Sequence, residues 1–185
     1  MTSRKPIRVA ETGEGQTVTT LELFFDLVFV FALTRVTDLL ADNTSAANVF
    51  RSVLVLAVLW WSWVGYSWLG NVARADEGIV KVAVFAAMGA SFIIALALPE
   101  AFDDLPGGLS GPVVFAIGYF VVRAVHVSVF WIIATDEPRF RATVLRWLPS
   151  LAISTTLLLI ASQTTGTVQT LLWVGALVAD YLGTV

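Results

Sequence analysis

The chain has 185 residues, of which 57% are hydrophobic and 14% charged, and a formal net charge of −3. Soluble domains are typically about 45–50% apolar and about 25% charged, so this composition predicts a protein that crosses a membrane several times. The negative charge argues against a nucleic-acid partner. Cysteine is absent and histidine occurs once, which excludes disulfides and thiolate metal sites, so we expect no metal and no cofactor.

Apolar stretches along the chain predict an all-α polytopic transmembrane bundle of about six spans. A helix rises about 1.5 Å per residue, so roughly 20 apolar residues cross the hydrocarbon layer. We predict a cytoplasmic tail over residues 1–18 and a transmembrane helical domain over 19–185. The tail lacks the apolar core of a signal peptide, so the first helix is expected to remain in the membrane. The predicted spans are 20–41, 49–70, 79–98, 112–134, 143–162 and 168–185.

The first span combines an unbroken apolar run with carboxylates near its start. Thr19 precedes Glu22 by three residues, which is the spacing of a capping box. Capping and a functional role are therefore the two interpretations of Glu22, and the spacing alone does not choose between them. Asp26 lies one turn farther into the apolar stretch, where a passive anchor needs no carboxylate. The helix is expected to face something polar at that point.

The distribution of lysine and arginine predicts a cytoplasmic N-terminus, because cationic residues concentrate in cytoplasmic loops. Only Arg51 falls on the opposite side in this arrangement, and Arg35 and Arg123 fall within spans. The cationic residues assigned to the cytoplasmic side are Arg4, Lys5, Arg8, Arg74, Lys81, Arg139, Arg141 and Arg146.

Polar residues within the predicted spans form a candidate polar centre. Arg123 lies near the middle of the fourth span, and His126 follows it on the same helical face. The helical rise places Asp26, His126 and Asp180 in one layer, with Arg123 just above it. We expect Arg123 to pair with Asp26 or with Asp180. The secondary candidates are Glu22, Arg35, Tyr119 and Asn71.

Two interpretations of this polar centre remain open. In one, the charges form a buried network that only holds the bundle together. In the other, they line a proton or ion pathway in which His126 exchanges protons with a carboxylate. A charge at the centre of a span costs about 2.5–3.5 kcal/mol on insertion scales, so both interpretations require a partner for Arg123. No second histidine, cysteine or paired catalytic motif supports an enzyme, and we expect none.

The segment Leu21–Ala32, with the sequence LELFFDLVFVFA, resembles the N-terminal signature of the low temperature requirement A (LtrA) family of bacterial membrane proteins. Members are longer, so the resemblance implies the N-terminal half of a larger bundle. Arg35 stands where many members have glutamine. The change is harmless if Arg35 meets Asp38 or Asp42 near the outer interface, whereas it argues against a pathway if the family's glutamine lines one. Further matching positions follow in order at Trp60–Trp63, Trp68, Asn71, Tyr119, Arg123, His126, Trp147 and Ala179–Tyr181.

The resemblance implies a multi-pass protein of the bacterial inner membrane whose family is named for a growth phenotype in the cold. From the polar centre we predict a transporter or permease-like protein, proton-linked, for a small molecule or ion that the sequence does not identify. The alternative is a non-catalytic membrane factor that supports growth at low temperature, with the charges serving only to pack the bundle. The expected partners are the lipid bilayer and either a second copy or a missing C-terminal half.

Overall fold

The computed structural model describes residues 19–72, 78–134 and 137–183, and within these ranges it contains helices and no strand. The all-α prediction is therefore confirmed. The predicted tail over residues 1–18 lies outside the described residues. The α-helices are α1 (Thr20–Asp42), α2 (Ala46–Val72), α3 (Gly78–Ala97), α4 (Gly111–Ile133), α5 (Pro138–Ala161) and α6 (Gly166–Gly183), with a short 3₁₀ turn at Leu98–Glu100 after α3.

Four of these helices, α2 to α5, are long and apolar enough to cross a membrane. Helix α5 begins at Pro138 rather than at residue 143, since proline suits the first turn of a helix. Helix α1 carries several charges, and α6 has only 18 residues and opens with polar positions. The helical membrane bundle is thus confirmed, while the spanning of α1 and α6 stays a prediction.

The helices form a ring in which each contacts the next, in the order α1, α3, α4, α5, α6, α2 and back to α1. Helix α2 also contacts α4 across the ring. This cross-contact divides the bundle into two four-helix groups that share α2 and α4. One group contains α1 and α3, and the other contains α5 and α6. Side chains on α1 and α6 are therefore separated by the α2–α4 seam.

Helix α4 is central because its buried positions lie on most of its circumference. Gly118 lets α3 approach closely: a Cβ at that position would meet Cγ1 of Ile94 at 2.6 Å. The facing residues Ala87 and Ala90 of α3 are buried, as expected for small residues at an interface between membrane helices. This packing holds one stripe of α4, formed by Tyr119, Arg123 and His126, in the interior of the bundle.

One end of the bundle is closed by the connection between α3 and α4. Arg51 of α2 lies over the ring of Phe102, 5.0 Å from its centroid, and donates hydrogen bonds to Thr170 and to the carbonyl of Gly166. The buried amide of Gln169 donates to the carbonyl of Phe102 at 2.9 Å. These contacts fix the connection to the beginnings of α2 and α6.

Candidate functional site

A buried ion pair between α4 and α6 is the core of the site. The Nη2 atom of Arg123 lies 3.2 Å from Oδ1 of Asp180, and both side chains are almost completely buried. Ser154 of α5 donates to the same oxygen at 3.4 Å. Three helices therefore meet at one carboxylate. Of the two partners expected for Arg123, the structure selects Asp180.

The ion pair leaves hydrogen-bonding capacity unused nearby. The Nε atom of Arg123 is buried and has no hydrogen-bond partner among the described residues. Buried polar atoms in native structures normally have partners, and exceptions often mark a place for a water or an ion. The arginine can therefore accept a further ligand without releasing Asp180.

His126 bonds across the seam between α4 and α2. Its Nε2 atom lies 3.1 Å from the carbonyl oxygen of Gly65. A carbonyl oxygen can only accept, so Nε2 carries the hydrogen and Nδ1 of the neutral ring is an acceptor. That Nδ1 atom is buried and has no partner in the described part of the chain. The histidine thus has an open position for one proton.

Tyr66 makes the reciprocal bond from α2 to α4. Its hydroxyl donates to the carbonyl of Val122 at 2.8 Å, and its ring lies 5.4 Å from that of His126. Gly65 permits this approach, because a Cβ there would stand 3.0 Å from Nε2 of His126. Phe130 and Trp147 cover the imidazole on other sides. The two helices are therefore locked in one register around an apolar-walled histidine.

Asp26 lies apart from Arg123, in the other four-helix group. Its Oδ1 atom accepts a hydrogen bond of 2.8 Å from Nε1 of Trp63 on α2. Helix α1 contacts α2 and α3, whereas it makes no contact with α4. The shared depth that the sequence indicates thus does not bring Asp26 to Arg123. The four predicted residues occupy two sites on opposite sides of the seam.

The secondary candidates have local roles where the structure describes them. Glu22 and Thr19 form the complete capping box, with bonds of 2.7 and 3.2 Å, so the capping interpretation is confirmed. Arg35 pairs with Asp38 at 2.7 Å on the partly exposed surface of α1. Tyr119 is buried on the stripe of α4. The side chain of Asn71 lies outside the described part of the structure.

Sequence reasoning missed several partners in the site. Ser154 is one of many serines and threonines in the chain, and Gly65 by itself does not indicate which side chain approaches it. Trp61 stacks on Tyr181 of α6 at 4.0 Å. Tyr66 is buried at the seam. An aromatic residue beside a glycine in the middle of an apolar helix is the one signal that points to a close contact there.

Among the described residues, no three His, Cys, Asp or Glu side chains lie together in a way that could hold a metal ion. The arrangement instead offers a cation, a carboxylate and a histidine that can exchange protons or bind an anion.

These features define a helical membrane protein with an ion pair buried between its helices. A family model described as "Bacterial low temperature requirement A protein (LtrA)" matches residues 17–185. The chain therefore belongs to the LtrA family, and the resemblance seen in the sequence is confirmed. It is also 34% identical over 164 residues to a protein of Rhizobium meliloti (strain 1021) named "Uncharacterized protein RA0937".

That match covers 88% of this chain and 38% of the relative, so the chain spans well under half of the length of the relative. No solved structure matches the chain significantly.

Proposed function

We propose that this protein is a transporter or permease-like protein of the bacterial inner membrane, with its N-terminus in the cytoplasm and its transport linked to protons. The observation that carries this proposal is the buried pair of Arg123 and Asp180, beside which Nε of Arg123 and Nδ1 of His126 have no partner among the described residues. A network that serves only packing would be expected to use its buried donors and acceptors fully.

In this scheme the ion pair couples the binding of a proton or an anion to the positions of the helices. A proton bound by Asp180 removes the attraction to Arg123, and an anion bound by Arg123 can replace the carboxylate. Either event weakens the contact that joins α4, α5 and α6. In this scheme His126, one turn farther along α4, relays the proton. The protein performs no covalent chemistry in this scheme.

The test is proton flux through the whole protein in proteoliposomes, with pyranine in the lumen and a potassium gradient applied through valinomycin. We expect Asp180→Asn and Arg123→Gln to reduce the flux at least about tenfold, because each removes one member of the buried pair. Arg35→Gln and Asp38→Asn are matched controls, since they break an ion pair of the same chemistry at the partly exposed surface. Full flux in both buried-pair variants would contradict the proposed role of Arg123 and Asp180 in transport.

The second candidate is a non-catalytic membrane factor that supports growth at low temperature, alone, with a second copy or with the remaining part of the protein. It is favoured by the position of Asp180, where three helices converge on a single carboxylate. If the pair only packs the bundle, exchanging its charges as Arg123→Asp with Asp180→Arg restores folding and growth in the cold. The transport scheme predicts instead that this double variant folds but restores neither the flux of the unchanged protein nor growth in the cold.

A further inference from the structure

Asp26 is a carboxylate that has no cationic partner among the described residues and lies at the depth of an apolar helix. Its one hydrogen bond comes from the neutral indole of Trp63, and it forms no ion pair with a described residue. Trp63 lies seven residues inside the end of the candidate span Ala46–Gly70, which is about 10 Å of helix. A charged group at such a depth normally faces a partner of opposite charge or a polar cavity. The partner of Asp26 therefore has to come from elsewhere.

The carboxylate is open on one side. Asp26 is half-buried, and its second oxygen accepts no hydrogen bond from the described residues and is not enclosed by them. The neighbouring residues on α1 that face outward, including Leu27 and Val30, are exposed and apolar. The free oxygen is thus accessible at the contact between α1 and α2, and it lies apart from Arg123 because α1 does not contact α4.

Three aromatic rings pack together at the indole that bonds Asp26 and are here named the aromatic cluster: Phe29 of α1 with Trp60 and Trp63 of α2. The ring centroids of Trp60 and Trp63 are 5.1 Å apart, and that of Phe29 lies 5.4 Å from Trp63 and 6.4 Å from Trp60. Trp60 is 49% exposed, so part of its ring is available to a ligand. Ring faces attract cations, and tryptophan does so most strongly.

We propose that Asp26 and the aromatic cluster form a binding site for a lipophilic organic cation. The free oxygen of Asp26 supplies the opposite charge, and the rings of Trp60 and Phe29 supply the apolar and cation-attracting walls. A lipophilic cation fits better than an inorganic ion, because one carboxylate and three rings cannot replace the oxygen shell that a metal cation requires. This site is separate from the Arg123–Asp180 pair and does not depend on transport.

The test measures binding of radiolabelled tetraphenylphosphonium to the whole protein in lipid nanodiscs, with protein-free nanodiscs subtracted. Asp26→Asn keeps an acceptor for the indole of Trp63 and removes the charge, so the Kd should rise at least about tenfold. Trp60→Leu removes the exposed ring and should raise the Kd roughly threefold or more. The matched control is Asp38→Asn, which neutralises a more exposed carboxylate on the same helix. Asp180→Asn should also bind as the unchanged protein does, which separates this proposal from the proposed transport.

Tetraphenylborate, which has the same shape and the opposite charge, distinguishes a cation-selective site from nonspecific binding to an apolar surface. We expect saturable binding of the phosphonium and none of the borate. Equal binding of both ions overturns the proposal, as does the absence of saturable phosphonium binding. An unchanged Kd in Asp26→Asn, with helicity retained by circular dichroism, also overturns it. If Asp26→Asn does not fold, an unchanged Kd in Trp60→Leu overturns the proposal instead.

Discussion

At the scale of single residues, the polar atoms of the site meet because a glycine lets two helices approach closely. The bond between His126 and Gly65 exists because position 65 has no side chain, and the imidazole occupies the space that a methyl group would fill. The sequence predicted that His126 shares one helical face with Arg123, and both side chains are buried in the structure. It could not predict the partner, because the identity of a glycine says nothing about which side chain approaches it.

Gly65→Ala should therefore destabilise the protein by about 1–3 kcal/mol, through displacement of His126 and loss of its bond to α2. Gly89→Ala on α3 is the matched control, since a Cβ there meets nothing within 4 Å. Alanine is favoured over glycine within a helix by roughly 0.5–1 kcal/mol, so this control should be neutral or stabilising. Thermal unfolding of both variants in the same detergent measures the difference. Equal melting temperatures would show that the seam tolerates the added methyl group.

At the scale of helices, the apolar runs correctly predicted that six α-helices exist in the described part of the chain and in which order they follow along it. Each predicted span corresponds to one observed helix, because about 20 apolar residues between polar breaks allow little else in a membrane. The capping box at Thr19 and Glu22 marked the beginning of α1. What the runs could not give is which helices are neighbours. The contact between α3 and α4 depends on Gly118, and glycine is common in membrane helices for several reasons.

Gly118→Ala should destabilise the α3–α4 contact by about 1–3 kcal/mol, because the new methyl group would overlap Cγ1 of Ile94. Ile94→Ala alone should also be destabilising, since it leaves a cavity at a buried position. The double variant should lose less stability than the two single variants together, because the new methyl group occupies space that isoleucine has vacated. Chemical unfolding of the four proteins measures this coupling. Strictly additive losses would place the cost of Gly118→Ala outside this contact.

At the scale of the whole molecule, the order of helices in the ring explains why a predicted common depth did not bring Asp26 to Arg123. Helical rise gives the depth of Asp26, Arg123 and Asp180, but it contains no information on the order of helices around the bundle. Asp180 reaches Arg123 because α6 lies in the same four-helix group as α4. Asp26 meets Trp63 because α1 packs on the other side of α2. Two sites of different character, an ion pair and a carboxylate among aromatic rings, follow from that separation.

The ring is closed where α2 meets α6, and Arg51 is the residue that joins them at one end. It bonds to Thr170 and Gly166 of α6 and covers Phe102 of the α3–α4 connection. Arg51→Gln should release this connection and raise amide hydrogen exchange across residues 101–110 about tenfold, because three contacts are lost together. Asp103→Asn removes the partner of Arg51 that is 81% exposed, and such surface pairs contribute only about 0–1 kcal/mol.

Exchange in Asp103→Asn should therefore stay close to that of the unchanged protein, which separates the loss of the exposed ion pair from the loss of the buried contacts. Exchange over α5 serves as the internal reference in both variants, since Arg51 makes no contact there. Equal exchange at residues 101–110 in Arg51→Gln and Asp103→Asn would show that Arg51 does not hold the α3–α4 connection in place. The connection would then be held by the bond from Gln169 to the Phe102 carbonyl, which neither substitution touches.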